Sequence, residues 1–227
     1  MGISNQTLIM KGVSLGLDCF TVLVSIVLLF ALFSENREKK IETKSFIGIL
    51  VANGLCAALD TEVYVLNNAK GYEYIARHAY NASYVLYMIT LMYFCFFQYH
   101  MMRKKVYIAD GINYTVAFVC LAPTLIWIIG NAQNPSWFTR VEASGALTRG
   151  NVFWVALLIP SVIMLFNLVF MLTCKDKLSG KELFAWISYE IFPAIIYIIF
   201  FTTGIFYESI LLRFHQCCFM QKYIWQI

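Results

Sequence analysis

Six apolar stretches, each about as long as a bilayer is thick, constrain the fold of this chain more than any other feature. A helix needs ~20 mostly apolar residues to cross ~30 Å of hydrocarbon. The stretches cover residues 12–33, 45–66, 78–101, 112–130, 151–173 and 184–206. They lack the strict polar–apolar alternation that is typical of a membrane β-barrel. We therefore expect an all-α fold, a polytopic transmembrane helix bundle with six clear spans.

The composition excludes several other classes of protein. Hydrophobic residues make up 60% of the chain and charged residues 13%, whereas soluble domains carry roughly 25% charge. This rules out a soluble enzyme, a disordered chain and a nucleic-acid binder. Walker loops, GxSxG elbows and metal-ligand helix patterns are absent from the sequence. We therefore expect no enzymatic activity, no catalytic residues, no metal and no cofactor.

The basic residues predict how the bundle is oriented. Of the 17 lysines and arginines, ten fall in the connections 34–44, 102–113 and 174–182, and five in the opposite connections and the N-terminus. Loops rich in lysine and arginine stay in the cytoplasm. We expect a multi-pass protein of the plasma (cytoplasmic) membrane, with the N-terminus outside and the lipid bilayer as its first partner.

The C-terminal tail, residues 207–227, does not fit the pattern of the preceding 206 residues. Four acidic or basic side chains are spread through it: Glu208, Arg213, His215 and Lys222. A charge near a helix centre costs roughly 2.5–3.5 kcal/mol on insertion scales. The tail is at most a marginal seventh span, and we treat 1–206 as the helical domain.

Two residue types indicate packing and anchoring. Most of the seven cysteines fall inside apolar stretches and none in the external loops, so we interpret them as small packing residues. Tryptophans near span boundaries suggest interfacial anchors; these are Trp127, Trp137, Trp154 and Trp186.

Ionisable residues inside membrane helices are costly, so they are candidates for a functional site. In this orientation several of them collect towards the outer side, with Asp18 about two turns into the first stretch and Arg77 opening the third. The ligand-binding candidates are Asp18, Asp60, Glu62, Arg77, His78 and, from the external loop, Arg149. The alternative is an interfacial network that only caps helix ends and fixes their packing.

Prolines and one lone carboxylate mark helices that can kink or couple to a ligand. An interior proline commonly kinks a helix. The candidates are Pro123, Pro160, Glu190 and Pro193, the last two in the sixth stretch. A proton-coupled carrier would use such a glutamate, whereas a structural kink beside a protonated or paired glutamate is the alternative.

Three segments resemble the multi-spanning sensor region that precedes GGDEF (diguanylate cyclase) domains in Gram-positive bacteria. They are ENREKKIETKSFIGILVANGLCAALDTEVYVLNN, WFTRVEASGALTRGNVFWV and DKLSGKELFAWISYEIFPAIIYIIF, within about residues 10–206. The resemblance implies a dimeric sensory bundle that signals to cytoplasmic cyclase domains. The family continues through a seventh helix into a GGDEF domain, whereas here the tail after Gly204 diverges. This departure predicts a truncated frame or a stand-alone sensor.

The leading hypothesis is therefore a membrane-embedded sensory module, a homodimer that responds to an external or membrane-borne ligand. The first alternative is a small transporter or permease that uses Glu190 and Asp18 for ion coupling. The second alternative is a purely structural subunit or fragment. No nucleic acid is expected as a partner.

Overall fold

The computed structural model describes residues 5–34, 41–66, 69, 71–109, 111–134, 136–142, 147–184, 186–188 and 191. Helices dominate this part of the chain. They are α1 (Asn5–Ser34), α2 (Ile41–Leu66), α3 (Glu73–Arg103), α4 (Ile112–Gln133) and α5 (Phe153–Thr173), followed by a 3-10 turn, Lys175–Lys177. Residues 180–184 are also helical.

Four of the described helices are long and apolar enough to cross a membrane. The candidate spans are Leu15–Ser34, Thr43–Leu66, Glu73–Arg103 and Ile112–Gln133, and α5 carries a shorter apolar stretch, Leu158–Thr173. The predicted sixth span lies mostly outside the described residues, as the tail does entirely. The helical fold is therefore confirmed and four helices are candidate membrane spans, while the number six stays a prediction.

Two helices begin earlier than the hydropathy pattern predicts. α1 begins at Asn5 and α3 at Glu73, because polar residues can continue a helix beyond the hydrocarbon. Before α3 the chain turns at Gly71, whose φ of 88° suits a residue without a Cβ. The Gly71 N–H donates to Oε1 of Glu73 at 3.0 Å. Arg77 therefore lies inside α3 and does not open it.

A two-stranded antiparallel hairpin replaces part of the external loop expected between the fourth and fifth stretches. Strand β1 (Thr139–Val141) pairs with β2 (Leu147–Arg149), with Thr139 opposite Arg149. A Cβ at Gly150 would collide with the carbonyl oxygens of Ser136 and Trp137. The prediction of an all-α fold is wrong at this loop, because strands of three residues are too short to show alternation in the sequence.

α3 is the central helix of the described bundle. It contributes residues to a cluster with Phe46 and Met171, to a middle cluster with Cys120 and Ile163, and, through Tyr84, to a cluster of Trp127, Phe138 and Phe153. The outward faces of α1, α4 and α5 instead expose large apolar side chains, such as Phe30 at 76%. Helices that are apolar on their exposed faces are typical of a bundle surrounded by lipid.

Two of the predicted tryptophan anchors are core residues. Trp127 and Trp186 are each 2% exposed. The Trp127 ring stacks on Tyr84 at 4.1 Å and lies 4.0 Å from the Phe138 ring, centroid to centroid. The anchor interpretation is wrong for these two residues because aromatic partners from other elements cover them. Trp137, at 43% exposure, fits it better.

The proline-bearing helices α4 and α5 run without a break through Pro123 and Pro160. A proline in a helix leaves the carbonyl four residues earlier without its usual amide donor. Next to Pro123, the Thr124 hydroxyl donates to the Cys120 carbonyl at 2.9 Å, which is a local side-chain bond of the kind that membrane helices use. The predicted kink partners Glu190 and Pro193 lie outside the described residues.

A polar clip joins the α3–α4 connection to the segment that follows α5. The Ser179 hydroxyl and N–H donate to Oε2 of Glu182 at 2.8 and 2.9 Å, and the Glu182 N–H donates back to Ser179 at 3.3 Å. This is a capping box at the start of residues 180–184. Lys105 donates to both Glu182 oxygens at 2.7 Å. Hydrogen bonds from the Lys105 ammonium and from the N–H and hydroxyl of Ser179 lower the pKa of Glu182 from its ordinary 4.5 to about 2.

The clip makes stability depend on pH in a defined interval. Because the folded pKa is lowered, the charged Glu182 stabilises the fold fully above pH 4.5, and this contribution is lost as the pH falls from 4.5 towards 2. We expect Glu182→Gln to lower the melting temperature in detergent at pH 7 and to have little effect near pH 2. The control is Asp176→Asn, at an exposed carboxylate in the 3-10 turn. An equal effect of both changes would contradict the clip.

The close packing of α2 on α3 at Gly48 predicts that a larger residue there lowers stability. A Cβ at Gly48 would lie 2.7 Å from carbon atoms of the Tyr93 ring, whereas one at Gly16 meets nothing within 4 Å. Overpacking costs about 1–3 kcal/mol, while Gly→Ala gains at most about 1 kcal/mol of helix propensity. Thermal denaturation should show a lower melting temperature for Gly48→Ala and an unchanged or higher one for Gly16→Ala.

Candidate functional site

The candidate site is built where α2 and α3 approach each other near the Gly71 turn. The Ser83 hydroxyl on α3 donates a short hydrogen bond to Oδ1 of Asp60 on α2. Cys56, one helical turn before Asp60, donates its thiol to the Ser83 carbonyl at 3.3 Å. The helices can meet here because Ala57 and Ala79 lie buried at the contact, and small residues allow close packing of membrane helices.

Asp18 is fully buried on the inner face of α1. Thr21 and Ser25 share this face, three and seven residues further on, and Ser25 meets α2 beside Gly54, where an added Cβ would lie 3.2 Å from the Ser25 Cβ. Because α1 begins at Asn5, Asp18 lies near the middle of this helix, although only three residues into the candidate span Leu15–Ser34. The α1 side of the site is thus a buried polar stripe against α2.

Arg77 and His78 form a separate group around Tyr74. The His78 ring packs edge-on against the Tyr74 ring at 4.1 Å, and the Arg77 guanidinium carbon lies 5.7 Å from its centroid. His78 and Glu62 are exposed. Among the described residues, no ion pair joins Arg77 or His78 to the carboxylates of α1 and α2. The candidates thus do not converge on one site: Asp60 is bonded to Ser83 between α2 and α3, whereas Arg77 and His78 contact Tyr74.

Arg149 lies on the hairpin, not in the helical bundle. Its backbone pairs with Thr139 in the register of β1 and β2, and its side chain is outside the described residues. The hairpin itself is tied to the bundle at Val152, whose N–H donates to the Trp137 carbonyl at 2.9 Å. At the same end of the bundle, the Asn131 amide donates to Oδ1 of Asn81 at 3.1 Å and joins α4 to α3.

The sequence analysis missed a second polar group, deeper in the bundle, where α3, α4 and α5 meet. The Tyr99 hydroxyl donates to Oδ1 of Asn167 at 2.9 Å, and Nδ2 of Asn167 donates to the Cys95 thiol at 3.1 Å. Cys120 of α4 belongs to the same buried cluster as Cys95. The signal that could have found it is Asn167, an amide in the middle of an otherwise apolar stretch.

Gln98 is a buried amide that, unlike Asn167, lacks hydrogen-bond partners among the described residues. It is fully buried in α3, and neither its nitrogen nor its oxygen has a hydrogen-bond partner in the described part of the protein. A buried polar group without a partner costs about 1–3 kcal/mol. The arrangement seen here therefore carries a cost that a rearranged bundle or a bound group would relieve.

A metal site of the usual multi-ligand kind is not formed. No group of three or more His, Cys, Asp or Glu side chains converges within the described residues. Comparisons with models of known protein families, with curated proteins and with solved structures find no match to this chain.

The bond between α2 and α3 predicts the effect of a mutation. Ser83→Ala removes one hydrogen-bond donor from the partly buried Asp60 carboxylate, which should cost about 1–3 kcal/mol of unfolding free energy. Denaturation in detergent measures this cost. Ser34→Ala, the same change at an exposed position of α1, should have little effect. Equal stability of the two variants would show that the Asp60–Ser83 bond contributes nothing.

Proposed function

We propose that this protein is a membrane-embedded sensory module that responds to an external or membrane-borne cue. The observation that carries the proposal is the hydrogen bond from Ser83 to Asp60, because it couples a carboxylate of α2 to the central helix. α3 continues unbroken from there to Arg103. A ligand or proton that changes the Asp60–Ser83 contact would therefore act on a helix that packs against α2, α4 and α5.

The orphaned Gln98 amide supports a bundle with two states. A ligand shifts such an equilibrium only if it binds the two states with different affinity. A state that leaves a buried amide unsatisfied is raised in free energy, which brings a second arrangement within reach. The cue would tilt or rotate α3 and so select the arrangement in which Gln98 gains partners.

The proposed topology has six spans, an outer N-terminus and basic cytoplasmic loops. Supporting this, Lys105 of one basic connection contacts Glu182 of another. Phe46 at the start of α2 also shares a cluster with Met102 at the end of α3. These ends belong to one side of the bundle in the proposed topology, and the Asn81–Asn131 bond belongs to the other.

Within this proposal the chain is related to the sensor regions that precede GGDEF domains and acts as a homodimer in the plasma membrane. The three segments quoted above support this relationship. The rival proposal is a small transporter or permease. It is supported by the buried polar stripe of Asp18, Thr21 and Ser25, since transporters place polar groups inside the bundle.

Spin-label distances in the full chain in liposomes test the sensory proposal. Labels are placed at Lys44→Cys and Tyr107→Cys, both exposed positions, after Cys19, Cys217 and Cys218 are changed to serine. We expect two distance populations. Asp60→Asn alters the contact with Ser83 and should change the ratio of the two populations. Gln98→Leu, which replaces the orphaned amide by an apolar group, should shift the ratio towards the arrangement described above, in which this amide has no partner.

The outcomes separate the two proposals. A single distance population, unchanged by Asp60→Asn and by Gln98→Leu, would contradict a two-state sensor. In the same liposomes, uptake of solutes from a radiolabelled panel that is lost in Glu190→Gln would instead favour the transporter. A sensor gives no solute flux in either protein. Asp176→Asn, at an exposed carboxylate that is not a ligand-binding candidate, is the matched control and should leave the distances unchanged.

A further inference from the structure

Three exposed lysines lie close together in the segment that follows α5. Lys175 and Lys177 belong to the 3-10 turn, and Lys181 lies at the start of the helical residues 180–184. Backbone hydrogen bonds of 3.0 and 3.1 Å within residues 174–178 fix the turn that carries the first two. Within the part of the chain that the structure describes, none of the three lysines forms an ion pair.

The carboxylate nearest in sequence does not neutralise these lysines. Glu182 follows the third lysine directly, but Lys105 donates to both of its oxygens at 2.7 Å and Ser179 donates twice to Oε2. The charge of Glu182 is therefore balanced by Lys105, a residue of another connection. The three lysines are left with Asp176 as the other carboxylate of this segment, which gives them a net charge of +2. An anion from outside the chain complements this charge.

The lysines begin where the apolar outer surface of α5 ends. Large apolar side chains are exposed along this helix from Leu158 to Leu172, and beyond the lysines Phe184 is 66% exposed. The Lys105–Glu182 pair brings the α3–α4 connection alongside, where Tyr107 is 94% exposed. Aromatic side chains at span ends lie at the level of the lipid headgroups. In a bundle that crosses a membrane, the lysines therefore lie at the depth of the phosphate groups, next to the acyl chains.

We infer that Lys175, Lys177 and Lys181 form a binding site for the headgroup phosphate of an anionic phospholipid, whose acyl chains lie along the outer face of α5 at Leu172. Basic clusters at the ends of membrane helices attract anionic headgroups. A free phosphate ion would meet the same lysines but would leave the apolar surface beside them unused. The inference requires that the helices cross a membrane, and it depends neither on the sensory function nor on which leaflet this end of the bundle meets.

Native mass spectrometry of the purified full chain in detergent tests the site. The protein is titrated separately with dioleoyl phosphatidylglycerol and with dioleoyl phosphatidylcholine, which have the same acyl chains but differ in net charge. We expect tighter binding of phosphatidylglycerol. Lys177→Gln should weaken it by about fivefold, because each basic side chain near an anionic headgroup contributes roughly that factor. Changing Lys175, Lys177 and Lys181 together to glutamine should abolish the preference for phosphatidylglycerol and leave the binding of phosphatidylcholine unchanged.

Two controls separate charge at this site from charge elsewhere. Changing the same three lysines to arginine keeps the charge and should keep the preference. Arg140→Gln removes an exposed cation from the hairpin that follows α4 and should also keep it. A parent without preference, or a triple glutamine variant with the preference of the parent, would overturn the inference. Displacement of phosphatidylglycerol by an equal concentration of glycerol phosphate would overturn it as well, because the site would then bind a soluble phosphate and not a lipid.

Discussion

The close antiparallel packing of α2 against α3 is the contact on which the rest of the described bundle depends. Lipid gives helices no hydrophobic reason to associate, so shape and hydrogen bonds must hold them together. Here Gly48 and Ala57 supply the shape, and the bond from Ser83 to Asp60 supplies the polar link. α1 then packs on α2 beside Gly54, and the inner clusters bring α4 and α5 onto α3.

Two buried amide side chains, Asn167 and Gln98, differ in whether their hydrogen-bonding groups are satisfied. Asn167 has a partner for its oxygen and one for its nitrogen, both from α3. Such a satisfied network holds one arrangement of the helices. Gln98, on the same central helix, is equally buried and has neither partner among the described residues. Hydrogen bonds at Asn167 thus stabilise the present packing of the helices, whereas the unsatisfied amide of Gln98 raises its free energy.

Hydropathy predicted the helices well because the length of a span is dictated by the thickness of the bilayer. The stretch predicted at 112–130 became α4, Ile112–Gln133, with its start unchanged. The site was harder to predict, because a list of ionisable residues cannot say which helix faces meet. Asp60 accepts a hydrogen bond from Ser83, an uncharged residue that a search for ionisable side chains does not select. Arg77 and His78 instead contact the Tyr74 ring. Asn167 and the hairpin depend on contacts distant in sequence and left no periodic signal.

The clip between Lys105 and Glu182 has a consequence for the order of assembly. Its two residues are 77 positions apart in the chain, and a ribosome adds roughly 5–20 residues per second. Glu182 is therefore synthesised about 4–15 s after Lys105. A helix forms in roughly 1 μs, so α2 and α3 are already helical before Glu182 has been synthesised. The clip can therefore form only after α1 to α5 have been synthesised, and it stabilises helices that have already formed.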